Sequence, residues 1–335
     1  MESEQTPATI TVVAAVLRDG EGRVLMAQRP AGKDMAGKWE LPGGKVKAGE
    51  GLHDALAREI AEELGAEVTA SRPLLQLAHT YPSKRVVLHA REAQWRGTIG
   101  AREGQGLRWM DPRDRPAFEA LDLLEADGPI VTAMRLPSRY LITPPALVAN
   151  DVPAFLDRAL RSQVGLVQLR VPTATTQELA LLAAAFANGV ERLARRDERA
   201  PAWVIGGASP QTTAPLVQRY GAAGVHLPAR FLDRLDAVRA QADREGWDCL
   251  LTSCHDAQEL IRARDGGADA AVLGPVLPTP SHPGVAGLGW EPFEALLRDL
   301  ALPVYAIGGV GDGLMERAWA CGAQGVAGIS AIAPT

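Results

Sequence analysis

Glu59, Glu62 and Glu63 stand at i, i+3 and i+4, so a helix through them stacks three carboxylates on one face. Carboxylates packed that closely repel one another unless a cation sits among them. A hard divalent ion such as Mg²⁺ takes oxygen ligands, keeps waters, and binds through carboxylates and substrate phosphates; Mn²⁺ accepts the same donors. Gly44 and Gly49 precede this helix, and glycine lets backbone approach a ligand closely. Glu50, Arg58 and Gly65 stand at set offsets around the acidic trio. A solvated acidic helix face is the plain alternative; the added offsets favour a metal site.

Elements that would position these residues follow from hydrophobic periodicity. Ile10–Leu17 is an apolar, β-branched run that predicts a buried strand, with a turn at Asp19-Gly20-Glu21-Gly22 and a returning strand over Arg23–Gln28. Leu52, Leu56, Ile60 and Leu64 recur at helical spacing within a helix over Gly51–Leu64. Further strands are expected at Leu74–Tyr81, Val86–Trp95 and Leu107–Met110, then a helical pattern over Leu121–Met134 broken at Gly128-Pro129. Near Leu136-Pro137-Ser138 the character changes. Eight short apolar runs then alternate with helical stretches, from Tyr140–Ile142 to Gly325–Gly328. That rhythm predicts an α/β protein ending in a (β/α)₈ barrel. Only a few residues follow the eighth strand, so a truncated last helix is expected.

With 335 residues and 47% hydrophobic content, two domains with full cores are expected, residues 1–135 and 139–335. A net charge of −5, with no dense basic run, argues against direct nucleic-acid binding. Three cysteines without metal spacing suit a reducing compartment. The polar start and the absence of a long apolar run predict a cytoplasmic chain that does not span a membrane. Oligomeric state stays open.

The run Gly44-x5-Glu50-x7-Arg58-Glu59-Ile60-Ala61-Glu62-Glu63-Leu64-Gly65-Ala66 resembles the Nudix box, with Ala66 smaller than the usual aliphatic residue. Met35–Gly44, Tyr81-Pro82, Ala101–Gln105 and Trp109-Met110 are similar to the MutT type of that family, nucleoside triphosphate hydrolases that sanitise the nucleotide pool. The resemblance covers roughly Ile10 to Val131. It implies an α/β/α sandwich with a mixed sheet, a Mg²⁺ cofactor, and hydrolysis of a nucleoside triphosphate to monophosphate and pyrophosphate. By it, Glu59 and Glu63 hold the metal with Glu62 beside them, and Glu103 acts as further ligand or base. The Gly43 carbonyl adds a ligand, Arg58 orients the carboxylates, and Glu50 braces the loop. Gly44 lies against the substrate. Arg29 matches an arginine near the substrate's phosphate or base, and equally an ordinary strand-end arginine. Asp127 stands where MutT-type enzymes carry a base-reading Asn. An ionised Asp only accepts hydrogen bonds, whereas a protonated one also donates; a helix-cap role is the alternative. Trp39 and Leu41 are either base walls or core.

The second half resembles thiamine phosphate synthases and their TenI relatives. The resemblance is carried by Val167-Gln168-Leu169-Arg170, Gly224-Val225-His226-Leu227, Leu273–Thr279, Ala306–Val310 and Gly325–Ile332. It implies a phosphate site at Gly308 and Gly309 and at a helix N-terminus formed by Gly328 and Ser330. Gln168, Arg170, Thr279, Ser281 and His282 would line a pocket for a phosphorylated small ligand. The catalytic end departs from the synthase pattern: Pro172 replaces a lysine, Gly206-Gly207 an Asn-Asp pair, and Phe231 marks the region of a lost acid. Three readings result. The chain is a MutT-type pyrophosphohydrolase for 8-oxo-dGTP or a related damaged nucleotide, serving DNA replication and repair, with a ligand-binding barrel. Alternatively it hydrolyses thiamine-related diphosphates, or it is bifunctional with an active synthase.

Overall fold

The computed structural model describes residues 9–82, 84–196, 198–279, 284 and 286–332. The chain divides into two compact units, with the boundary between Arg135 and Leu136 and with Arg298–Ala301 belonging to the first unit.

In the first unit, β1 (Thr9–Leu17), β2 (Val24–Gln28), β3 (Trp39–Glu40) and β4 (Gly43–Lys45) lead into α1 (Leu52–Leu64). The long strands β5 (Glu67–Tyr81) and β6 (Lys84–Arg96) follow, then β7 (Gly106–Met110), α2 (Arg115–Glu119), a 3₁₀ turn at Glu125–Asp127 and α3 (Gly128–Arg135). A mixed four-stranded sheet has the order β4-β1-β6-β5, and a three-stranded sheet the order β3-β2-β7. β1 runs parallel to β6 and antiparallel to β4, with Val13 opposite Gly44 and Ala14 opposite Gly43. Its alternation feeds two cores, because successive side chains point to opposite faces. Val13, Ala15 and Leu17 pack with Leu56, Ile60 and Leu64 of α1. Ala14 and Val16 pack with Phe118, Ile130 and Met134. This is a helix–sheet–helix arrangement.

The expected helix over Leu121–Met134 is corrected. Gly128-Pro129 opens α3 instead of interrupting a helix, since proline suits a first turn, where its missing N–H would have no partner. α2 starts earlier, where the Asp114 side chain accepts from the Ala117 N–H. β3 and β4 were not expected; they are too short to show a period.

The second unit runs β8 (Arg139–Ile142), α4 (Val152–Arg161), β9 (Leu166–Leu169), α5 (Thr176–Ala194), β10 (Ala202–Gly206), α6 (Pro210–Tyr220) and β11 (Gly224–Leu227). It continues with α7 (Leu235–Glu245), β12 (Cys249–Cys254), α8 (Ala257–Asp265), β13 (Ala270–Leu273), α9 (Trp290–Leu297), β14 (Val304–Ile307), α10 (Met315–Ala320) and β15 (Gly325–Gly328). All eight strands pair in parallel, and β15 closes on β8. Tyr140, Leu166, Val204, Leu251, Val272 and Tyr305 belong to one buried core cluster of this unit. Between β15 and Ile332 no helix forms among the described residues. The three cysteines are buried and form no disulfide among the described residues. Among the described residues, no helix is long and apolar enough to cross a membrane.

Candidate active site and barrel pocket

α1 begins after an extended Gly51 and ends at Gly65, whose left-handed φ of 75° lets its N–H reach the Ala61 carbonyl. Leu56, Ile60 and Leu64 form the buried stripe of α1, and Glu59 and Glu63 flank it on the side that meets β4, with Arg58 beyond them. Arg58 organises this face. Its guanidinium forks onto Glu50, with Nε to Oε1 at 2.8 Å and an Nη2 bond to Oε2 at 2.9 Å. It also donates to Glu59 at 2.7 Å, Glu62 at 3.3 Å and the Lys45 carbonyl at 3.1 Å. Glu50 further accepts from the Lys47 N–H at 3.0 Å, closing the loop on itself. Arg58 above all, with that N–H, holds the Glu50 carboxyl down at about 2.

Glu59 and Glu63 meet β4 at consecutive glycines. A Cβ on Gly44 would come 2.4–2.6 Å from the Glu59 carboxyl group, so only glycine leaves that carboxylate its place. Glu63 accepts the Gly43 N–H at 3.3 Å. The Gly43 carbonyl is the expected metal ligand, and its N–H orients Glu63. Burial, with the charges of Glu103, Glu40 and Glu59 adding, pushes the Glu63 carboxyl up to about 7 against that N–H. Glu62 is exposed.

Glu103 comes from a loop tied to the C-terminal end of α1. Gln105 donates to the Glu63 carbonyl at 2.9 Å and accepts the Glu103 N–H at 2.8 Å, while the Arg102 N–H meets the Glu63 carbonyl at 3.0 Å. The Glu103 carboxylate is held by Lys33 at 2.5 Å. Arg29 pairs with Glu40 at 2.6 Å and donates to the Asp34 carbonyl at 2.7 Å. Asp127 is 3% exposed and accepts the Leu41 N–H at 3.1 Å; burial lifts its carboxyl to about 7. Leu41 is core, and half-buried Trp39 carries the Arg108 guanidinium 5.0 Å from its ring.

The donors here are carboxylate oxygens, which suit a small hard cation, and the crowding around Glu63 is the charge a cation would neutralise. Among the described residues, no three such side chains already close on one point. Mg²⁺ does not require that, because it is commonly held by one or two carboxylates plus substrate phosphates and waters. The residues fit the ion.

In the barrel, His226 bridges Tyr140 and Ser253, with Nδ1 to the Tyr140 hydroxyl and Nε2 to the Ser253 Oγ, both 2.8 Å. Burial, then the Arg170 charge, pushes His226 down to about 3, so the imidazole is neutral. The imidazole is the one hydrogen-bond partner of the buried Tyr140 hydroxyl among the described residues. Satisfying every donor therefore has Tyr140 donating to Nδ1, Nε2–H donating to Ser253, and the Ser253 proton left for a ligand. Gln168 is 2% exposed, its side chain has no hydrogen-bond partner among the described residues, and a Cβ on Gly206 would come 2.1 Å from its amide nitrogen. The Arg170 side chain packs on Gly207, the closest approach to a built Cβ there being 3.2 Å.

Gly308 and Gly309 have φ of 88° and 65°, and a side chain on either would strike the Pro275–Pro278 segment. The Leu277 N–H donates to the Gly308 carbonyl at 3.0 Å. These glycines make a tight turn whatever they bind. The helix N-terminus expected at Gly328 and Ser330 is corrected. That segment bends instead, because the Ala331 carbonyl accepts the Asp312 N–H at 3.2 Å. Thr279 is half-buried; Ser281 and His282 lie outside the described residues. Sequence reasoning missed Lys33, Glu40, Tyr140 and Ser253. None carries a spacing signal, and each acts through a contact distant in sequence.

A family model described as the NUDIX domain matches residues 8–132, and one described as thiamine monophosphate synthase matches residues 139–332. The CTP pyrophosphohydrolase of Escherichia coli is 38% identical over 125 residues, 37% of this chain and 90% of that protein. The 8-oxo-dGTP diphosphatase of Proteus vulgaris is 35% identical over 94 residues, 28% of this chain and 84% of that protein. The thiamine-phosphate synthase of Thermosynechococcus vestitus is 29% identical over 260 residues, 68% of this chain and 73% of that protein. The chain therefore belongs to the Nudix family through its first unit and to the thiamine monophosphate synthase family through its second.

Proposed function

We propose that the first unit is a divalent-cation-dependent pyrophosphohydrolase of the MutT type that acts on nucleoside triphosphates, with 8-oxo-dGTP as its substrate. The second unit is a binding module for a phosphorylated small molecule. One observation carries the first reading: Arg58, braced by Glu50, holds Glu59 against Gly44 while Glu63 lies on Gly43. Glu59, Glu63 and Glu103 would hold Mg²⁺ or Mn²⁺, which when bound neutralises phosphate oxygens and lowers the pKa of water. The chain's own residues do the rest. Arg58 fixes the Glu59 carboxylate, the Gly43 N–H fixes that of Glu63, and a carboxylate of this cluster accepts the proton of the attacking water. Asp127 supports a base-reading role, since a carboxyl titrating near 7 offers donor and acceptor together when protonated.

The test is pyrophosphate release by the intact chain from 8-oxo-dGTP, dGTP, CTP and thiamine diphosphate, each with Mg²⁺. A clear preference for 8-oxo-dGTP supports the reading, and no release from any nucleotide ends it. A second reading, a cytosine nucleotide as substrate, rests on the 38% identity to the CTP pyrophosphohydrolase and is decided by the same panel. For the barrel, the Gln168 amide against Gly206 and the Arg170 side chain over Gly207 support ligand binding.

A further inference from the structure

Lys33 stands in the segment between β2 and β3, and that segment is tied down on every side. The Arg29 N–H meets the Lys38 carbonyl at 2.9 Å, and the Gly37 N–H meets the Arg29 carbonyl at 3.0 Å. Gln28 donates to the Gly37 carbonyl at 2.8 Å, Arg29 to the Asp34 carbonyl at 2.7 Å, and Lys84 to the Asp34 carboxylate at 3.1 Å. Pinned in this way, the segment sends the Lys33 ammonium to Glu103 at 2.5 Å. The Glu103 loop is itself fixed to the C-terminal end of α1 through Gln105 and Arg102. The same ammonium feels the Glu63 charge. A flexible stem, a point charge and two acidic neighbours therefore meet at the edge of the carboxylate cluster.

An exposed ion pair of this kind contributes little to stability. With side-chain exposures of 49% and 40%, the Lys33–Glu103 pair is of that class, so exchanging partners costs little. A polyphosphate bound through a divalent cation at Glu59 and Glu63 would bring negative oxygens toward Lys33, whose ammonium feels the Glu63 charge. A charge-assisted bond to such an oxygen is stronger than the exposed pair it replaces. Lysine, a compact charge with freely rotating donors, suits a contact that must break and re-form.

We propose that Lys33 is an exchangeable phosphate ligand: in the empty site it holds Glu103, and on substrate entry it moves to a phosphate oxygen and releases that carboxylate to the cluster. This deepens the pyrophosphohydrolase reading and rests on it. No bond is made or broken in the exchange; one ammonium trades one anionic partner for another.

The experiment uses the full chain with Lys33→Met and Lys33→Arg. Binding of Mn²⁺ to nucleotide-free protein is followed by electron paramagnetic resonance, and KM and kcat are measured for the nucleotide that the wild type hydrolyses best. Lys33→Met frees Glu103, so it should bind Mn²⁺ a few-fold more tightly; it loses the phosphate contact, so KM should rise about tenfold with kcat changed far less. Lys33→Arg keeps the charge and should hold KM within about threefold of wild type. Wild-type Mn²⁺ affinity in Lys33→Met overturns the hold on Glu103, and wild-type KM overturns the phosphate contact; either result sinks the exchange. A wild-type chain that hydrolyses no nucleotide sinks the underlying reading instead, so the two failures are distinguishable.

Discussion

Arg58 shows how much one side chain can organise. Its fixed fork reaches Glu50, Glu59, Glu62 and a loop carbonyl together, which a lysine ammonium cannot do. Arg58→Lys should therefore lower kcat about tenfold or more while the chain stays folded, as far-UV circular dichroism would check. Asp127 gives a stability test with a definite sign. Its folded-state carboxyl is raised from the usual 3.8 to about 7, so the folded state favours the neutral acid. Stability is full below the unfolded value and is lost as pH rises through the window between those two values. Asp127→Asn removes the cost of ionisation. It should match or trail the wild type in melting temperature at pH 4 and exceed it by several degrees at pH 8. A pH-independent difference would contradict burial as the cause. Glu59, Glu62 and Glu63 were legible from spacing, because helical geometry brings i, i+3 and i+4 together, whereas Glu50, in the loop before α1, was legible from the Nudix-box resemblance. The Lys33–Glu103 pair was not, because its partners are 70 positions apart and meet only through folding.

At the scale of elements, β4 and α1 work as one unit, and its two glycines make opposite predictions. A Cβ at Gly43 would lie 2.1 Å from the Val13 carbonyl oxygen, a backbone atom with nowhere to go. A Cβ at Gly44 would meet only the movable end of Glu59. Gly43→Ala should lower the melting temperature of the first unit markedly. Gly44→Ala should leave it within a few degrees but cut kcat at least about tenfold by displacing a carboxylate. Calorimetry and steady-state kinetics on both variants check this. The boundaries of α1 were readable from Gly51, Gly65 and the spacing of Leu52, Leu56, Ile60 and Leu64. α6 carries Pro215 inside it, which removes one helix donor, and burial of Ala214, Leu216 and Val217 carries the helix past that residue. The eight barrel strands were legible because each is a short apolar run, as strands buried on both faces must be. The bend after β15 was not, since a hydrogen bond from the Asp312 loop decides it.

For the whole molecule, one chain joins a Nudix unit with an acidic cluster to a barrel that carries Gln168 and Arg170 against Gly206 and Gly207. A ligand that bonds those side chains would stabilise the barrel by mass action. Thiamine phosphate added to the intact chain should raise the melting temperature of the barrel transition, and Gln168→Leu should abolish that rise; an unchanged transition would argue against a phosphate-bearing ligand of this class. Fold and family were legible at this scale from motif order. The nucleobase was not, because Asp127 reads differently according to a protonation state that only its burial sets. The measurement that bears most directly on the central claim is pyrophosphate release from 8-oxo-dGTP by the full chain, with Mg²⁺ and with the metal chelated, beside Glu63→Gln. The account predicts release with Mg²⁺, none under chelation, and a loss of at least about a hundredfold in a still-folded Glu63→Gln. Release that survives chelation, or a Glu63→Gln variant as active as the wild type, would contradict it.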